Sequence, residues 1–454
     1  MWKLTNERGG VMVRKFLPLF ITTALTLSLS ACLFGNIDEL YSLPRHSETY
    51  AQLQSLIDRE LEAGSEFSAP ASGSYRQSVQ FQDVTGNGKE EALVFFRGVG
   101  QVPKICVYRA VGDEFEPATV LEGEGTAIGR VEYADLDGDD VDEIIVAWQI
   151  SPTLCTVSVY SMREYSSAVL LNANCADFRV VDLRGLAGLM TIKRDDLSAF
   201  LDMYSFNDAF EPAVTSARLS AGIENVERVR LSALSDGEPA LFIDSSRGDG
   251  KLVTDVVIYA ANGGIKNITL DMETGMSAST LREKPSDNAY TQDIDGDKTV
   301  EIPELYRLYS QADGVSGYWV FDWYSFDSTG AKKLLCSTYH SGEGWYLVLP
   351  GSWRENLTVR REDLVAGERG VILSQVDRRT RDVIDILVIY TLTGENRGDR
   401  ARLPGRFIIP NMEEGTTVFA ARILSDSDVW AHSLTAEDLI GRVKPIRQEW
   451  GYEN

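Results

Sequence analysis

Short apolar runs, each preceded by a loop rich in acidic residues or glycine, recur along the middle of the chain. The clearest runs are apolar on consecutive positions: ALVFF at 92–96, IIVAW at 144–148, LMTI at 189–192 and LFI at 241–243. Consecutive apolar positions are typical of a strand that is covered on both faces. A strand with an aromatic residue, a polar turn and another strand follow each run, so the pattern predicts a repeating unit of four short strands.

The loops set the length of this repeat. Their first position recurs at Asp83, Asp135, Asp182, Ala233 and Asp293, and the last interval is the longest. Four short strands about every 50 residues match one blade of a propeller. We therefore predict a mainly β protein, with a β-propeller of about five four-stranded blades over residues 79–344. A series of hairpins in a β-sandwich is the alternative, and the long last interval leaves room for a sixth blade.

The sequence pattern changes after residue 344. The acidic loops stop, and WYLVLPGSWRENLTV, GVILSQV and DILVIYTLTG predict longer strands. Near the end, Thr435 and Asp438 have the spacing of a helix capping box. We expect a separate α+β domain over residues 345–454. Its opening is similar to PsbP-like domains, in which a strand leads into P-x-x-W, and this similarity implies no chemistry.

Residues 1–31 predict an export signal. Basic residues at 14 and 15 precede a largely apolar stretch at 16–29, which is shorter than the roughly 20 residues that span a bilayer as a helix. The motif LSAC at 29–32 resembles the lipobox of bacterial lipoproteins. The resemblance implies that Cys32 receives a diacylglyceryl group and becomes the first residue after cleavage. Lipid would then hold the protein outside the cytoplasmic membrane, at the cell membrane; an uncleaved anchor and an ordinary signal peptide are the alternatives.

Residues 32–78 predict a lipid tether, a short helix and a linker. Apolar residues recur at helical spacing between Ser47, which can cap the helix, and Gly64, which ends it. A stretch rich in Ser, Ala, Pro and Gly follows, as in a linker.

The chain is strongly acidic, and this charge excludes some classes of binding partner. Lys and Arg number 44 against 68 Asp and Glu, a net charge of −24. Loss of the export signal at 1–31 removes four basic residues and one acidic residue, so −24 becomes −27. Binding to nucleic acid or anionic lipid headgroups needs clustered Lys or Arg. We therefore expect no nucleic acid partner, and instead an envelope protein, a glycan or cell-wall material.

The sequence favours a binding or scaffolding module over an enzyme, because no catalytic motif stands in a credible context. The alternatives are a hydrolase that acts on envelope polysaccharide or peptidoglycan, and an accessory subunit of an envelope complex. A sugar-stacking surface is a further hypothesis, and the alternative is that these aromatic residues form the core of their strands: Trp319, Trp323, Tyr324, Trp345 and Trp353.

The loop at Asp135 has the donor pattern of a site for a hard cation. Asp135, Asp137, Asp139 and Glu143 stand at positions 1, 3, 5 and 9, and the backbone carbonyl of Val141 at position 7 adds an oxygen. Carboxylates on alternate residues of a tight loop converge on one point. Several charged oxygens are what Ca²⁺ requires, so the loop predicts a calcium site.

Two further loops carry the pattern, which gives two to three predicted calcium sites. The corresponding residues are Asp293, Asp295, Asp297, Thr299 (by its carbonyl) and Glu301 in one loop, and Asp83, Thr85, Asn87 and Glu91 in the other. Loops rich in Asp, Asn and Gly also form β-turns without a metal, which is the alternative for all three. Glu304, at position 12 of the loop at Asp293, makes an EF-hand a further alternative there.

This loop pattern resembles FG-GAP and VCBS-type repeats, in which D-x-D-G-D-x-x-x-D/E loops join two blade strands and bind calcium. The resemblance covers the array at 79–344, and three of the five loops carry it well. It implies a β-propeller like the N-terminal part of integrin α chains, with loops stiffened by calcium, and it implies no substrate. The copies at Asp182 and Ala233 depart from the pattern.

Four cysteines follow Cys32, none with the C-x-x-C spacing of zinc or redox motifs. Two of them, Cys155 and Cys175, flank a predicted hairpin and would face each other. Their spacing allows a cross-strand disulfide or a pair of buried thiols.

Overall fold

The computed structural model is mainly β, and its strands form six antiparallel sheets of four or five strands. The predicted export signal, Cys32 and the first part of the tether lie outside the described residues. The structure describes residues 48–446 except 113, 183–186, 196–197, 207–211, 261–262, 286–288, 309–316, 352, 355, 378, 381, 411, 413–415 and 425–433.

One helix precedes the sheets. Helix α1 spans Glu48–Glu62, where the apolar spacing predicts it. It belongs to a compact unit that also includes residues 110–116, and the remainder of the described chain forms a second unit. Within the first unit, the side chain of Gln52 donates to Glu114 at 3.4 Å and accepts from the backbone N–H of Phe115 at 3.1 Å.

The first four sheets are meanders of consecutive strands, which confirms the predicted four-stranded unit. In sheet 1, the short strand β1 (Glu66–Phe67) also pairs with the end of β3. Sheet 1 contains β2 (Val79–Gln82), β3 (Glu91–Arg97), β4 (Pro103–Val111) and β5 (Glu114–Glu122). Sheet 2 contains β6 (Ala127–Ala134), β7 (Glu143–Ser151), β8 (Leu154–Ser161) and β9 (Ala168–Cys175).

Sheets 3 and 4 repeat this arrangement, and a two-residue strand is added to sheet 4. Sheet 3 contains β10 (Asp177–Asp182), β11 (Ala187–Arg194), β12 (Ala199–Phe206) and β13 (Pro212–Leu219). Sheet 4 contains β14 (Ile223–Ala233), β15 (Pro239–Arg247), β16 (Lys251–Tyr259), β17 (Ile265–Asn267) and β18 (Arg282–Glu283).

The consecutive apolar runs form the second strand of each of these sheets, and their burial explains the pattern. In β7, Ile144 and Val146 pack in a core shared with sheet 1, whereas Ile145 and Ala147 pack in a core shared with sheet 3. Successive side chains of a strand point to opposite faces. A strand between two cores therefore needs apolar residues at every position, as the sequence pattern predicts.

The last two sheets complete the fold. The strands of sheet 5 are β19 (Ile302–Arg307), β20 (Trp319–Phe326), β21 (Lys332–His340), β22 (Trp345–Val348) and β28 (Val443–Pro445). Those of sheet 6 are β23 (Leu357–Val365), β24 (Glu368–Val376), β25 (Val383–Leu392), β26 (Phe407–Ile408) and β27 (Val418–Ile423). Sheet 5 runs in the order β19, β20, β21, β22, β28, and sheet 6 in the order β23, β24, β25, β27, β26.

Part of the region at 345–454, for which the sequence predicts a separate domain, joins sheet 5. Strands β22 and β28 both lie beyond residue 344 and belong to sheet 5. Two short helices, α2 (Arg397–Ala401) and α3 (Ala436–Arg442), accompany the strands. Helix α3 begins with the predicted capping box of Thr435 and Asp438. The additional sheet therefore follows the repeat array. In the long interval before Asp293, the described residues after β16 form only β17, a 3-10 turn at Ala278–Thr280, β18 and turns.

Neighbouring sheets share hydrophobic cores in chain order. One cluster joins sheets 1 and 2, and others join sheets 2 and 3, 3 and 4, 4 and 5, and 5 and 6. The cluster between sheets 5 and 6 includes Tyr339 and Trp345 on one side and Val359 and Leu373 on the other. The six sheets thus pack face to face in succession.

Candidate metal centres

Three acidic loops have the same backbone conformation. We name them the Asp83 loop (83–91), the Asp135 loop (135–143) and the Asp293 loop (293–301). The first two join the first and second strands of their sheets, and the third leads into β19 through a bridge between Gln292 and Glu301. Positions 4 and 6 have positive φ in every loop: Gly86 (70°), Gly88 (80°), Gly138 (80°), Asp140 (63°), Gly296 (91°) and Lys298 (73°).

The carboxylate at position 1 organises each loop by accepting backbone N–H groups. Asp135 accepts from Gly138 at 2.7 Å, from Asp139 at 3.1 Å and from Asp140 at 2.9 Å. The other two loops repeat these bonds at equivalent positions. Asp293 accepts from Gly296 (2.7 Å) and Lys298 (3.0 Å), and Asp83 accepts from Asn87 (3.2 Å) and Gly88 (2.7 Å).

The glutamate at position 9 links the end of each loop to its beginning. Its side chain accepts the backbone N–H of position 2: Val84 to Glu91 at 3.2 Å, Leu136 to Glu143 at 2.9 Å and Ile294 to Glu301 at 3.1 Å. All three glutamates are buried. Burial raises the pKa of Glu143 to about 8 and that of Glu301 to about 7, and it also raises the pKa of Glu91. A nearby cation would stabilise their charged form.

The Asp135 loop brings its predicted ligands together. One carboxylate oxygen from each of Asp135, Asp137 and Glu143 lies within 4.8 Å of the others. The side chain of Asp137 is 1 % exposed, and its Oδ1 is buried without a hydrogen-bond partner. Burial, followed by the charge of Asp139, raises the pKa of Asp137. A buried acceptor without a donor is costly, so this oxygen is poised to bind a cation.

Asp139, the predicted ligand at position 5, contacts an arginine in this structure. Arg163, in the turn between β8 and β9, forms an ion pair with Asp139 and lies 3.4 Å from Asp137. The sequence SMREYSS around Arg163 has no spacing that links it to the loop. At position 7, the N–H of Val141 donates to Asp139 at 2.9 Å, which holds this carboxylate inside the loop.

The Asp293 loop offers a second cluster. One oxygen from each of Asp293, Asp295 and Asp297 lies within 4.8 Å of the others. Thr299 binds Asp297 through its N–H at 2.7 Å and its hydroxyl at 2.6 Å, and the hydroxyl also lies 3.1 Å from Glu301. The chain leaves this loop as strand β19, so the EF-hand alternative, which needs a helix after the loop, is wrong.

The Asp83 loop has the same shape but satisfies its own polar groups. The side-chain amide of Asn87 donates to Thr85 at 2.6 Å, to Glu91 at 3.3 Å and to Tyr165 at 2.8 Å. Thr85 in turn lies 3.3 Å from both carboxylate oxygens of Glu91. The predicted ligands are therefore close together, and hydrogen bonds within the loop connect them.

The copy at Ala233 is a tight turn without a cluster. Leu234 and Glu238 are joined by a backbone hydrogen bond of 2.8 Å, and Asp236 accepts the N–H and hydroxyl of Ser328 in the β20–β21 turn. In the copy at Asp182, residues 183–186 lie outside the described chain. These copies depart from the ligand pattern, as the sequence shows.

Most of the aromatic residues predicted as a sugar-stacking surface are core residues. Trp323, Trp345 and Trp353 are at most 1 % exposed. Trp319 and Tyr324 are partly exposed, and each packs against a cation, Arg307 at 4.7 Å and Lys332 at 4.4 Å respectively. The set therefore does not form one surface.

An open cavity of about 780 Å³ lies among turns of sheets 2, 3 and 4. Strand β7 runs from the Asp135 loop to the β7–β8 turn, which lines this cavity. The cavity and the Asp135 loop therefore lie at opposite ends of sheet 2. Arg194 and Arg247 line it and donate to the backbone carbonyls of Ile223 and Ala221. Carboxylates stand beside them: Asp195, Glu224 and Asp249.

Comparisons with known proteins do not place the chain in a family. No family model matches it, and no curated protein matches it. Among solved structures it is similar to a structural-genomics protein from Lactobacillus plantarum, with 12 % identity, a TM-score of 0.26, and coverage of 65 % of this chain and 81 % of that one. Among the helices that the structure describes, none is long and apolar enough to cross a bilayer.

Proposed function

We propose that this protein is a lipid-anchored module of the bacterial cell envelope that binds or scaffolds a partner on a calcium-stabilised β-propeller. The support for the propeller is the succession of antiparallel sheets that share cores with their neighbours in chain order. The support for the anchor is the basic region, apolar stretch and LSAC motif that end at Cys32. The acidic surface fits an extracellular protein or glycan partner and disfavours nucleic acid.

The observation that carries the calcium proposal is the buried, unpartnered Oδ1 of Asp137 within the cluster that includes Asp135 and Glu143. Three carboxylates this close together repel one another unless a cation neutralises them. Oxygen donors of this charge suit Ca²⁺. In the Asp293 loop, Asp293, Asp295 and Asp297 would hold a second ion.

Calorimetry and thermal melting test this proposal. Isothermal titration of the calcium-stripped protein with Ca²⁺ is expected to show two sites, and the melting temperature is expected to rise in Ca²⁺ and to fall in EDTA. Asp137→Asn and Asp295→Asn should each remove one site. Asp363→Asn, at a position 76 % exposed in its side chain, is the matched control and should keep both sites. No heat of binding and an unchanged melting temperature would show that the loops are turns only.

Fractionation tests the anchor. Wild-type protein is expected in the membrane fraction, released by detergent, with a lipid-modified N-terminal peptide at Cys32 in mass spectrometry. Cys32→Ala should appear in the soluble exported fraction. A variant that remains in the membrane would contradict a lipid anchor.

The cavity among sheets 2, 3 and 4 is our candidate for the binding surface. Its two arginines and its carboxylates suit a polar ligand with hydrogen-bond donors and an acidic group. A glycan array and a cross-linking pull-down from envelope extracts, run with wild type and with Arg194→Gln, test this location. We expect weaker capture by the variant, and unchanged capture by the surface control Arg379→Gln. Equal capture by all three would place the binding surface elsewhere.

A further inference from the structure

Cys155 and Cys175 lie directly opposite each other on two paired strands of sheet 2. They are Cα partners in the register of β8 and β9, and their Sγ atoms are 3.3 Å apart. This arrangement places the predicted hairpin pair face to face, as its spacing indicates. Both residues carry thiols in this structure.

The strand register places the backbone of this pair within the range that a disulfide spans. Opposed residues on antiparallel strands have Cα atoms about 4.5–5.5 Å apart, within the roughly 4.4–6.8 Å range found for disulfides. The two side chains point toward each other, so a bond of about 2.05 Å requires only a small movement of the sulfur atoms. The strands need not shift.

The location of the pair indicates when such a bond would form. Both side chains are buried, at 7 % and 1 % exposure, in the core shared by sheets 2 and 3. The hydrogen bond between the two thiols, together with burial, raises the pKa of Cys175, whereas the same hydrogen bond lowers the pKa of Cys155, so the thiolate is disfavoured at Cys175 alone. Because both side chains face the core between sheets 2 and 3, an oxidising protein reaches them most readily before sheet 3 packs onto sheet 2. Oxidation would therefore accompany folding.

We propose that Cys155 and Cys175 form a cross-strand disulfide in the exported protein, made by exchange with the disulfide of an oxidising dithiol protein. One thiolate attacks the donor disulfide to give a mixed disulfide, and the second thiolate displaces the donor sulfur. The two cysteines lose two protons and two electrons, and the donor gains them as two thiols. The proposal rests on the proposed export, because cytoplasmic reductants keep such thiols reduced.

Differential alkylation of the full-length protein from the membrane fraction tests the cross-link. The protein is denatured in a first alkylating reagent, then reduced and treated with a second. We expect the first label on Cys106 and Cys336, in sheets 1 and 5, and the second label on Cys155 and Cys175. The first label on all four would overturn the proposal. Detection of the protein in the membrane fraction is scored separately, so a failure of export is distinguishable from a failure of the disulfide.

Melting with and without reductant provides a second readout. The bond closes a loop across 20 positions of the sequence, so reduction is expected to lower the melting temperature by about 3 °C. The control Cys106→Ser should keep this shift, and the double variant Cys155→Ala/Cys175→Ala should lose it. If the double variant does not fold, reduced and oxidised wild type, prepared with oxidised glutathione as the probe, decide the question. Identical melting of those two preparations would overturn the proposal.

Discussion

The Asp135 loop and the Asp83 loop have similar backbone conformations, but they differ in the side chains at two of the predicted ligand positions. In both, a carboxylate at position 1 accepts backbone N–H groups and a buried glutamate closes the loop. They differ at positions 3 and 5, where Asp137 and Asp139 in one loop correspond to Thr85 and Asn87 in the other. The amide and hydroxyl bond to the loop itself, whereas the carboxylates repel each other and leave one buried oxygen without a donor.

This difference indicates that the conformation of the loop and its proposed ability to bind an ion depend on different residues. Hydrogen bonds to position 1 and positive φ at positions 4 and 6 produce the loop shape whether or not acids fill positions 3 and 5. On our proposal, the excess of carboxylates then determines which loop binds a cation. Four predictions test this separation.

The largest effect is expected at position 1, because its carboxylate supports the shape of both loops. Asp135→Ala removes an acceptor for three backbone N–H groups and Asp83→Ala an acceptor for two. We expect each to lower the free energy of unfolding by about 2–4 kcal/mol in EDTA, measured by urea denaturation. Asp139→Ala, which removes an acceptor for one such group, is the control and should cost less. A loss below that of the control would contradict the role of position 1.

The second prediction concerns exchanging acidic and neutral side chains at positions 3 and 5 between the two loops. Thr85→Asp combined with Asn87→Asp should give the Asp83 loop a calcium site, and Asp137→Asn should remove the one in the Asp135 loop. At a calcium concentration about 100-fold above the dissociation constant, each site adds about 2.7 kcal/mol. Denaturation with and without Ca²⁺ measures both changes. A double variant that is destabilised equally in both conditions would show that acids at these positions are insufficient.

The third prediction concerns pH. Burial raises the pKa of Glu143 from its ordinary value of 4.5 to about 8. Between these values the folded chain holds a proton that the unfolded chain has released, so calcium-free stability falls as pH rises. Calcium stabilises the charged carboxylate, so its benefit should grow over the same interval. Melting temperatures between about pH 5 and pH 8, in EDTA and in Ca²⁺, measure this. Glu143→Gln should make the calcium-free curve less steep, with the remaining slope due to other raised carboxyl groups such as Glu301; a flat wild-type curve would contradict the assignment.

The smallest effect is expected at Arg163, whose side chain is half exposed. Its ion pair with Asp139 is worth about 1 kcal/mol or less. Arg163→Gln should therefore leave the calcium-free stability nearly unchanged, while releasing Asp139 and tightening calcium binding a few-fold in titration calorimetry. Arg179→Gln, which removes a pair with Asp177 in another sheet, is the control. Weaker binding by Arg163→Gln would show that the arginine supports the loop.

Much of the fold follows from the sequence because burial on both faces leaves a mark on consecutive residues. The run Ile144–Trp148 predicted a central strand, and Cys155 and Cys175 were expected to face each other, as the register confirms. The positions of the loops with carboxylates on alternate residues could also be predicted from the sequence. These signals are local, since a few neighbouring residues carry them.

Sheet 6 and the partners of the loops were not predictable in this way. No acidic loop marks sheet 6, and β28 joins β22 after the whole of sheet 6 has intervened in the chain, a pairing that no local pattern indicates. Arg163 meets Asp139 only because two turns of sheet 2 lie side by side. The sequence leaves Trp345 and Trp353 open between the core and a sugar-binding surface, because aromatic side chains occur in both places, and the packing shows that both are core residues.

The pairing of β28 with β22 makes a strand of three residues the edge of sheet 5, and a short edge strand disfavours pairing with another molecule. Without it, Tyr346 and its neighbours would form an open sheet edge with unpaired N–H and C=O groups, a template for strands of another molecule. Residues 443–445 cover that edge with three residues of the chain's own backbone, including Pro445, which has no N–H to offer to a further strand. The last described strand thus ends sheet 5 on a residue that discourages its extension.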